Sequence, residues 1–222
     1  MFHAQQLLIT IMPIQRLTRL SDMVFAVAMT ILAILFDPLP ESSNGSQNVA
    51  ELLSSQLPDL GVYVVTFFTL AFYWFTHVHQ FKHYQKTDAV HIFLTLFSLL
   101  FVVLLAYASD LSTVYEGEFV VQAFYSLAAA GIGLFASAAW IYGTYNRRLV
   151  ATELSDETIR DIRQEGYIEP LISLMAIGGA WLAPWGWTAT FAVGFPIAFL
   201  IQAQFARRAN NAAKPTTVPE NT

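Results

Sequence analysis

The string RLTRLSDMVFAVAMTILAILF, Arg16 to Phe36, puts two arginines, Ser21 and Asp22 at the head of a run apolar enough to cross a membrane. A carboxyl group at membrane depth is costly, about 2.5–3.5 kcal/mol at a helix centre on insertion scales, so it must face protein or water. Two kinds of chemistry follow. Asp22 can carry a proton or an ion, as in a coupled transporter, or it can accept hydrogen bonds and anchor its helix to a neighbour. Arg19 can reach the surface by snorkelling. Asp22 is shorter and deeper, so its partners are Arg19, Arg16 and donors on other helices. A second carboxyl, Glu169 before Pro170, is expected at the membrane interface.

Four histidines, His77, His79, His83 and His91, raise the alternative of a metal or haem site, because haem is held between histidines on facing helices. Their spacing argues against it: His77 and His79 fall on different faces of one helix, and His83 and His91 lie near a loop. The remaining histidine is His3. No cofactor is expected. With no cysteine, thiolate chemistry is excluded. No HExxH, clustered Ser/His/Asp or paired carboxylates at membrane depth appear, so the chain does not read as an enzyme.

The elements that must position these residues are membrane helices. Of the 222 residues, 55% are apolar and 12% charged, and the mean hydropathy is +0.50, outside the balance of an ordinary soluble domain. The net charge of −5 excludes a nucleic-acid binder, which needs a basic stripe. A bilayer core of about 30 Å needs roughly 20 helical residues. Six windows satisfy this, near residues 14–36, 58–82, 88–110, 119–146, 166–183 and 185–206. The expected fold is therefore all-α and polytopic, with six transmembrane helices in a domain of residues 14–206. Residues 1–13 read as an interfacial lead-in rather than a cleaved signal, and residues 207–222 as a disordered cytoplasmic tail.

Basic residues set the orientation. Arg16, Arg19, Lys82, Lys86, Arg147, Arg148, Arg160, Arg163, Arg207, Arg208 and Lys214 all fall on one side of a six-span arrangement. Asp37, Glu41, Glu51, Asp59, Asp110, Glu116 and Glu118 fall on the other. Retention of positive charge in the cytoplasm places both termini there and the protein in the cell membrane, among its lipids. Within the cytoplasmic connection 147–165, Ser155 is a plausible N-cap and Gly166 a plausible stop for a short surface helix. Asp156 and Arg160 are spaced for an i,i+4 pair. The turn APWGW, with Trp181 just before it and Trp185 and Trp187 within it, is suited to a headgroup interface.

In the first span, Val27, Ile31 and Ile34 recur at i, i+4, i+7 on one face, with Thr30 beside them. Spacing alone is compatible with lipid contact, bundle packing or the wall of a pore. RLTRLSDMVFAVAMTILAIL resembles the first-helix signature of the transmembrane protein 175 family of potassium channels, RxxxFSD followed by an apolar helix. Arg16, Ser21 and Asp22 match, and Leu20 replaces the phenylalanine. YWFTHVHQF in the second span is similar to the family's Tyr-Trp-x-x-His-His run: Trp74 and His77 match, and Val78 stands at the second histidine. In the third span Thr95 stands where an asparagine is frequent.

The resemblance implies a potassium channel with one six-helix repeat per chain, assembled as a homotetramer around a pore lined by the first helix. It implies selectivity by layers of apolar side chains, which fall here on Val27, Ile31 and Ile34, with Thr30 as a polar ring. Arg16, Ser21, Asp22, Trp74 and His77 would form the network that anchors that helix. Potassium is the permeant ion. A carbonyl-lined filter would need a Thr-Val-Gly-Tyr-Gly loop. The nearest string, AAAGIGLF, lies mid-span, and its Gly131 and Gly133 read as close-packing residues. The rival reading is a secondary transporter or proton-coupled carrier that uses Asp22 as its intramembrane carboxylate. Such a carrier would show broken helices, for which Gly194 with Pro196 is the candidate.

Overall fold

Seven α-helices and one 3-10 turn make up a computed structural model that describes residues 13–34, 49–183 and 185–212. The helices are α1 (Ile14–Ile31), α2 (Val49–Ser55), α3 (Leu57–Phe81), α4 (Ala89–Val114), α5 (Phe119–Thr144), α6 (Asp156–Leu182) and α7 (Gly186–Ala212). The expected lead-in before Pro13, the first part of the polar loop after α1, Pro184 and the tail beyond residue 212 lie outside the described residues.

Among the described residues, three helices are long and apolar enough to span a bilayer: α3, α4, and α5 continued through Arg147. The charges explain why α1 is not among them: Arg16, Arg19 and Asp22 fall in its first nine residues. The first half of α6 is likewise charged. The loop expected between the first two spans is partly helical. VAELLSS, rich in good helix formers, forms α2, and α3 starts at Leu57 with Pro58 in its first turn.

Short connections join the long helices and gather at two ends. At one end lie the foot of α1, residues 82–88 and residues 145–155. Gln85 N–H donates to Leu149 C=O at 2.9 Å, and Tyr84 pairs with Val150 in an isolated bridge. This end carries Arg16, Arg19, Lys82, Lys86, Arg147 and Arg148. The other end carries Asp59, Asp110, Glu116 and Glu118.

Each helix buries a face selected by its periodicity. Leu17, Ser21, Phe25, Ala28 and Leu32, spaced by three or four, are the buried residues of the α1 region. Phe25, Ala28 and Leu32 meet Leu70 and Tyr73 of α3 and Leu99, Val102 and Leu105 of α4 in one apolar core. A second, smaller cluster at the basic end joins Leu17 to Phe81, Tyr84, Trp140, Leu149 and Ile162. Polar groups inside the bundle are tied across helices: Thr66 Oγ1 lies 2.9 Å from both Ser109 Oγ and Tyr125 OH, linking α3, α4 and α5.

The structure corrects four sequence expectations. The helix starting at Asp156, capped by Ser155 Oγ accepting from Thr158 N–H at 3.1 Å, does not stop at Gly166 but runs to Leu182. The expected connection 147–165 therefore includes the first turns of this continuous helix. Pro170 has no N–H to donate to Gly166 C=O, and Ser137 Oγ on α5 supplies the missing donor at 2.9 Å. Gly166 is thus a close-contact residue inside a helix, not a stop. Secondly, Asp156 pairs not with Arg160 but with Arg147 Nη2 at 2.8 Å. That contact braces a turn in which Asn146 and Arg147 both have positive φ, 49° and 51°. Thirdly, Trp187 is buried, donating Nε1–H to Ser126 Oγ at 3.0 Å, whereas Trp181 and Trp185 are exposed. Finally, Glu169 is fully inside the bundle, accepting from Thr76 Oγ1 at 3.3 Å.

The two mid-span glycines act as contact points. A Cβ on Gly131 would lie 2.4 Å from the Phe101 ring, and one on Gly133 would lie 2.5 Å from Pro170 Cγ. These approaches let α5 accept α4 on one side and α6 on the other.

Candidate functional site

α1 has two unlike faces. Opposite its buried stripe it presents Val27, Ile31 and Ile34, with 59, 41 and 76% of their surface exposed. Thr30 is exposed on the same side, and its hydroxyl is spent on its own helix, donating to Ala26 C=O at 3.0 Å and Val27 C=O at 2.9 Å. Met23 extends the face toward the basic end. The helix ends at Ile31 in a turn through Ile34, with Ile34 N–H donating to Ile31 C=O at 2.9 Å. These four side chains therefore project away from the protomer, along a surface of aliphatic groups with one hydroxyl.

The rotation of α1, and so the direction of that face, is set by what the other face touches. Ser21 is buried and donates back to Leu17 C=O at 2.9 Å. Asp22, one residue on, is half-buried, and Oδ1 accepts from the Trp74 indole N–H at 3.0 Å. Phe25, a turn further, lies with its ring 5.7 Å from the His77 ring. Asp22 and Phe25 thus meet Trp74 and His77 of α3 by one polar and one aromatic contact. His77 stacks on Phe81 at 4.0 Å, and its Nε2 has no hydrogen-bond partner among the described residues. Arg16 and Arg19 are exposed at the basic end, so of the donors expected for Asp22 the structure brings Trp74 to it.

Replacing Trp74 by Phe keeps a ring and removes the donor to Asp22. A hydrogen bond to a carboxylate contributes about 1.5–3 kcal/mol, so W74F is expected to lower the melting temperature of the purified protein. The expected companion is D22N, whose effect should not add to that of W74F. Additive losses in the double variant would show that the two residues act separately.

The histidines divide between two environments. His91 is buried, with Nδ1 2.8 Å from Thr87 Oγ1 and its ring 4.3 Å from Tyr84. At the surface of the basic end His79 Nδ1 lies 2.9 Å from Glu165 Oε2, joining α3 to α6. Among the described residues no three of His, Cys, Asp and Glu gather to hold a metal ion. Burial, followed by the nearby His79 and Lys82, pushes the His83 pKa down from its ordinary value. The unfolded chain then takes up a proton below pH about 6.5 that the folded one resists. Stability should fall as pH drops through that value, and H83Q should flatten the decline between neutral pH and pH 5 when melting temperatures are compared.

Comparison with known proteins bears on the same segment. The family model described as endosomal/lysosomal potassium channel TMEM175 matches residues 16–105, from the first arginine of α1 through most of α4. Over that span the chain is similar to the TMEM175 family. A search of curated proteins finds no match. Among solved structures, a lysosomal potassium-selective channel TMEM175 homolog from Chamaesiphon minutus is similar with a TM-score of 0.68 and 19% identity. That match covers 86% of this chain and 97% of the other. A variant of the potassium channel MtTMEM175, in complex with a nanobody–MBP fusion, is similar with a TM-score of 0.51 and 20% identity, covering 90% of this chain and 94% of that one. At these identities the likeness is one of fold, and it covers nearly the whole chain. The segment that matches the family model contains Val27, Thr30, Ile31 and Ile34 of the outward face and Asp22, Phe25, Trp74 and His77 of the anchor.

Sequence reasoning missed the role of Glu169. The signal was present: Gly166, Glu169 and Ser173 recur at i, i+3, i+7, and Glu169 and Ser173 are both 1% exposed. That spacing turns the carboxyl into the bundle with its small neighbours instead of toward water. Phe25 was also unremarked, because in a wholly apolar string nothing distinguishes the ring that meets His77 from those that meet lipid.

Proposed function

We propose that this chain is the subunit of a potassium channel, conducting passively through a central pore constricted by Val27, Ile31 and Ile34, with Thr30 as a polar ring. The observation that carries this reading is the outward aliphatic face of α1, on a helix whose opposite face is buried. Lipid contact alone does not require Asp22 and Trp74 to fix the rotation of one helix. A pore does, because rotation decides which side chains meet the axis.

Four copies assembled about an axis would bring four such faces together as a homotetramer. Rings of aliphatic side chains narrow enough to exclude bulk water gate by dewetting, and they select ions through the cost of removing hydration water. In this reading residues 14–206 form a channel domain of six membrane helices per chain. The charged first half of α6 lies at the cytoplasmic surface, and both termini are cytoplasmic. Arg16, Ser21, Asp22, Trp74 and His77 position α1 instead of touching the ion. Asp22 as a transported-proton site is the weaker reading, because its oxygen is engaged by a fixed indole N–H. A helix-bound carboxylate held that way supports an anchor.

Liposomes containing the purified protein test the function. Potassium should flow down its own gradient with no accompanying sodium or proton movement, and the dissipation should not depend on a second gradient. Strict coupling to protons would instead support the carrier.

A further inference from the structure

At the acidic end, the ends of α3, α4, α5 and α7 diverge around a recess of about 300 Å³. Its α3 residues, Pro58 to Val65, precede the Trp74 that holds Asp22, and no residue of the α1 face lines it. Its walls are mainly apolar, with Trp187, Phe191 and Tyr115 contributing rings. That size and lining are those of a small-molecule site. Two polar groups stand out. Gln122 lines the recess and is only 8% exposed, a polar amide set in the largely apolar wall. Glu116 supplies a carboxylate in the exposed turn at the mouth.

These groups narrow the chemistry. A purely apolar occupant would offer the buried Gln122 amide no hydrogen bond. An anion would meet Glu116 and the neighbouring Asp59, Asp110 and Glu118, at an end where residues 49–81, 87–146 and 164–206 contain no lysine or arginine. A cation is drawn in by that field, and aromatic faces add attraction for it. An ammonium head with N–H donors serves both the Gln122 carbonyl and the Glu116 carboxylate, while its apolar body fills the ring-lined wall.

We propose that this recess is a binding site for a primary ammonium group carried on an apolar body. The group can belong to a soluble amine or to an ethanolamine lipid, since the recess opens where the helices reach the membrane surface. The site stands apart from the conduction path, so its occupancy does not depend on the pore assignment.

The test uses the full-length protein in phosphatidylcholine nanodiscs, with radiolabelled 2-phenylethylammonium as probe and its neutral isostere propylbenzene as competitor. Saturable binding is expected, weakened at least tenfold in both E116Q and Q122L. A Cβ on Gly61, which lines the recess, would meet no heavy atom within 4 Å. G61L therefore fills the space without displacing the protein, and should abolish binding while the melting curve stays unchanged. Competition by propylbenzene as strong as by unlabelled amine would overturn the ammonium assignment. Undiminished binding to folded G61L would overturn the site itself. Exchange of phosphatidylcholine for phosphatidylethanolamine identifies the source: loss of probe binding assigns the lipid headgroup, and retention assigns the soluble amine.

Discussion

Replacing Ile31 by Trp is expected to reduce potassium flux at least tenfold while leaving the fold intact. The separation of the two effects comes from where the side chain stands. Ile31 is 41% exposed and faces away from the protomer, so the substitution falls in the class of surface changes that alter stability by no more than about 0.5 kcal/mol. In a tetramer, however, it places four indoles at one level of a narrow constriction. I31N probes the same ring in the opposite sense: an amide hydrates where an aliphatic group does not, so the barrier from dewetting falls. The expected result is sustained flux with weakened discrimination between potassium and sodium. Leu32 is the internal control. It is adjacent in sequence but only 3% exposed, so L32A should cost about 2–5 kcal/mol of stability. Liposome flux measured beside melting temperature resolves the pair. If I31W conducts like the native protein, α1 does not present this face to the permeation path.

The same helix shows which parts of the molecule could be read from sequence. The i, i+4, i+7 spacing of Val27, Ile31 and Ile34 correctly grouped them on a face, because helix geometry alone dictates it. Spacing could not say which of two apolar faces is buried. That is decided by Trp74 reaching Asp22 and by Phe25 meeting His77, contacts between residues some 50 positions apart. Only a family motif that already paired those positions could anticipate them. The errors had a common origin in local rules overridden by partners from other helices. Gly166 has the composition of a stop and Pro170 that of a breaker, yet Ser137 supplies the hydrogen-bond donor that Pro170 lacks, and the helix continues. Trp187 has the composition of an interfacial anchor, yet Ser126 offers its indole a buried acceptor and Tyr125 an edge-to-face ring at 5.1 Å. Glu169 resembled a surface acid because the hydroxyl that meets it is on α3, at Thr76. The recess at the acidic end left no mark on the sequence at all, since it exists only where four helices diverge.

The largest stability effect is expected from Trp140, and its location explains why the loss should reach α1. Trp140 is fully buried, and its Nε1–H donates to Ile159 C=O at 3.2 Å. Its ring meets Tyr84 edge-on at 5.6 Å. Around it gather Leu149 and Ile162, and the cluster extends to Leu17 at the foot of α1. One side chain on α5 therefore holds together α6, the two basic-end connections and, through the cluster, α1. W140A removes the ring's burial and leaves a cavity that these neighbours, tied down by the Gln85–Leu149 hydrogen bond, can close only in part. The expected cost is about 3–5 kcal/mol. In a chain of this size that corresponds to a fall in melting temperature of roughly 6–20 °C. W140F restores most of the apolar contact but not the indole donor, so its deficit should shrink to about the 0.5–1.5 kcal/mol of a single neutral hydrogen bond plus the residual cavity. Because the foot of α1 shares the cluster, the surviving folded fraction of W140A should also show altered flux, whereas W140F should conduct normally. A melting temperature unchanged in W140A would mean that the basic-end cluster does not hold these elements together.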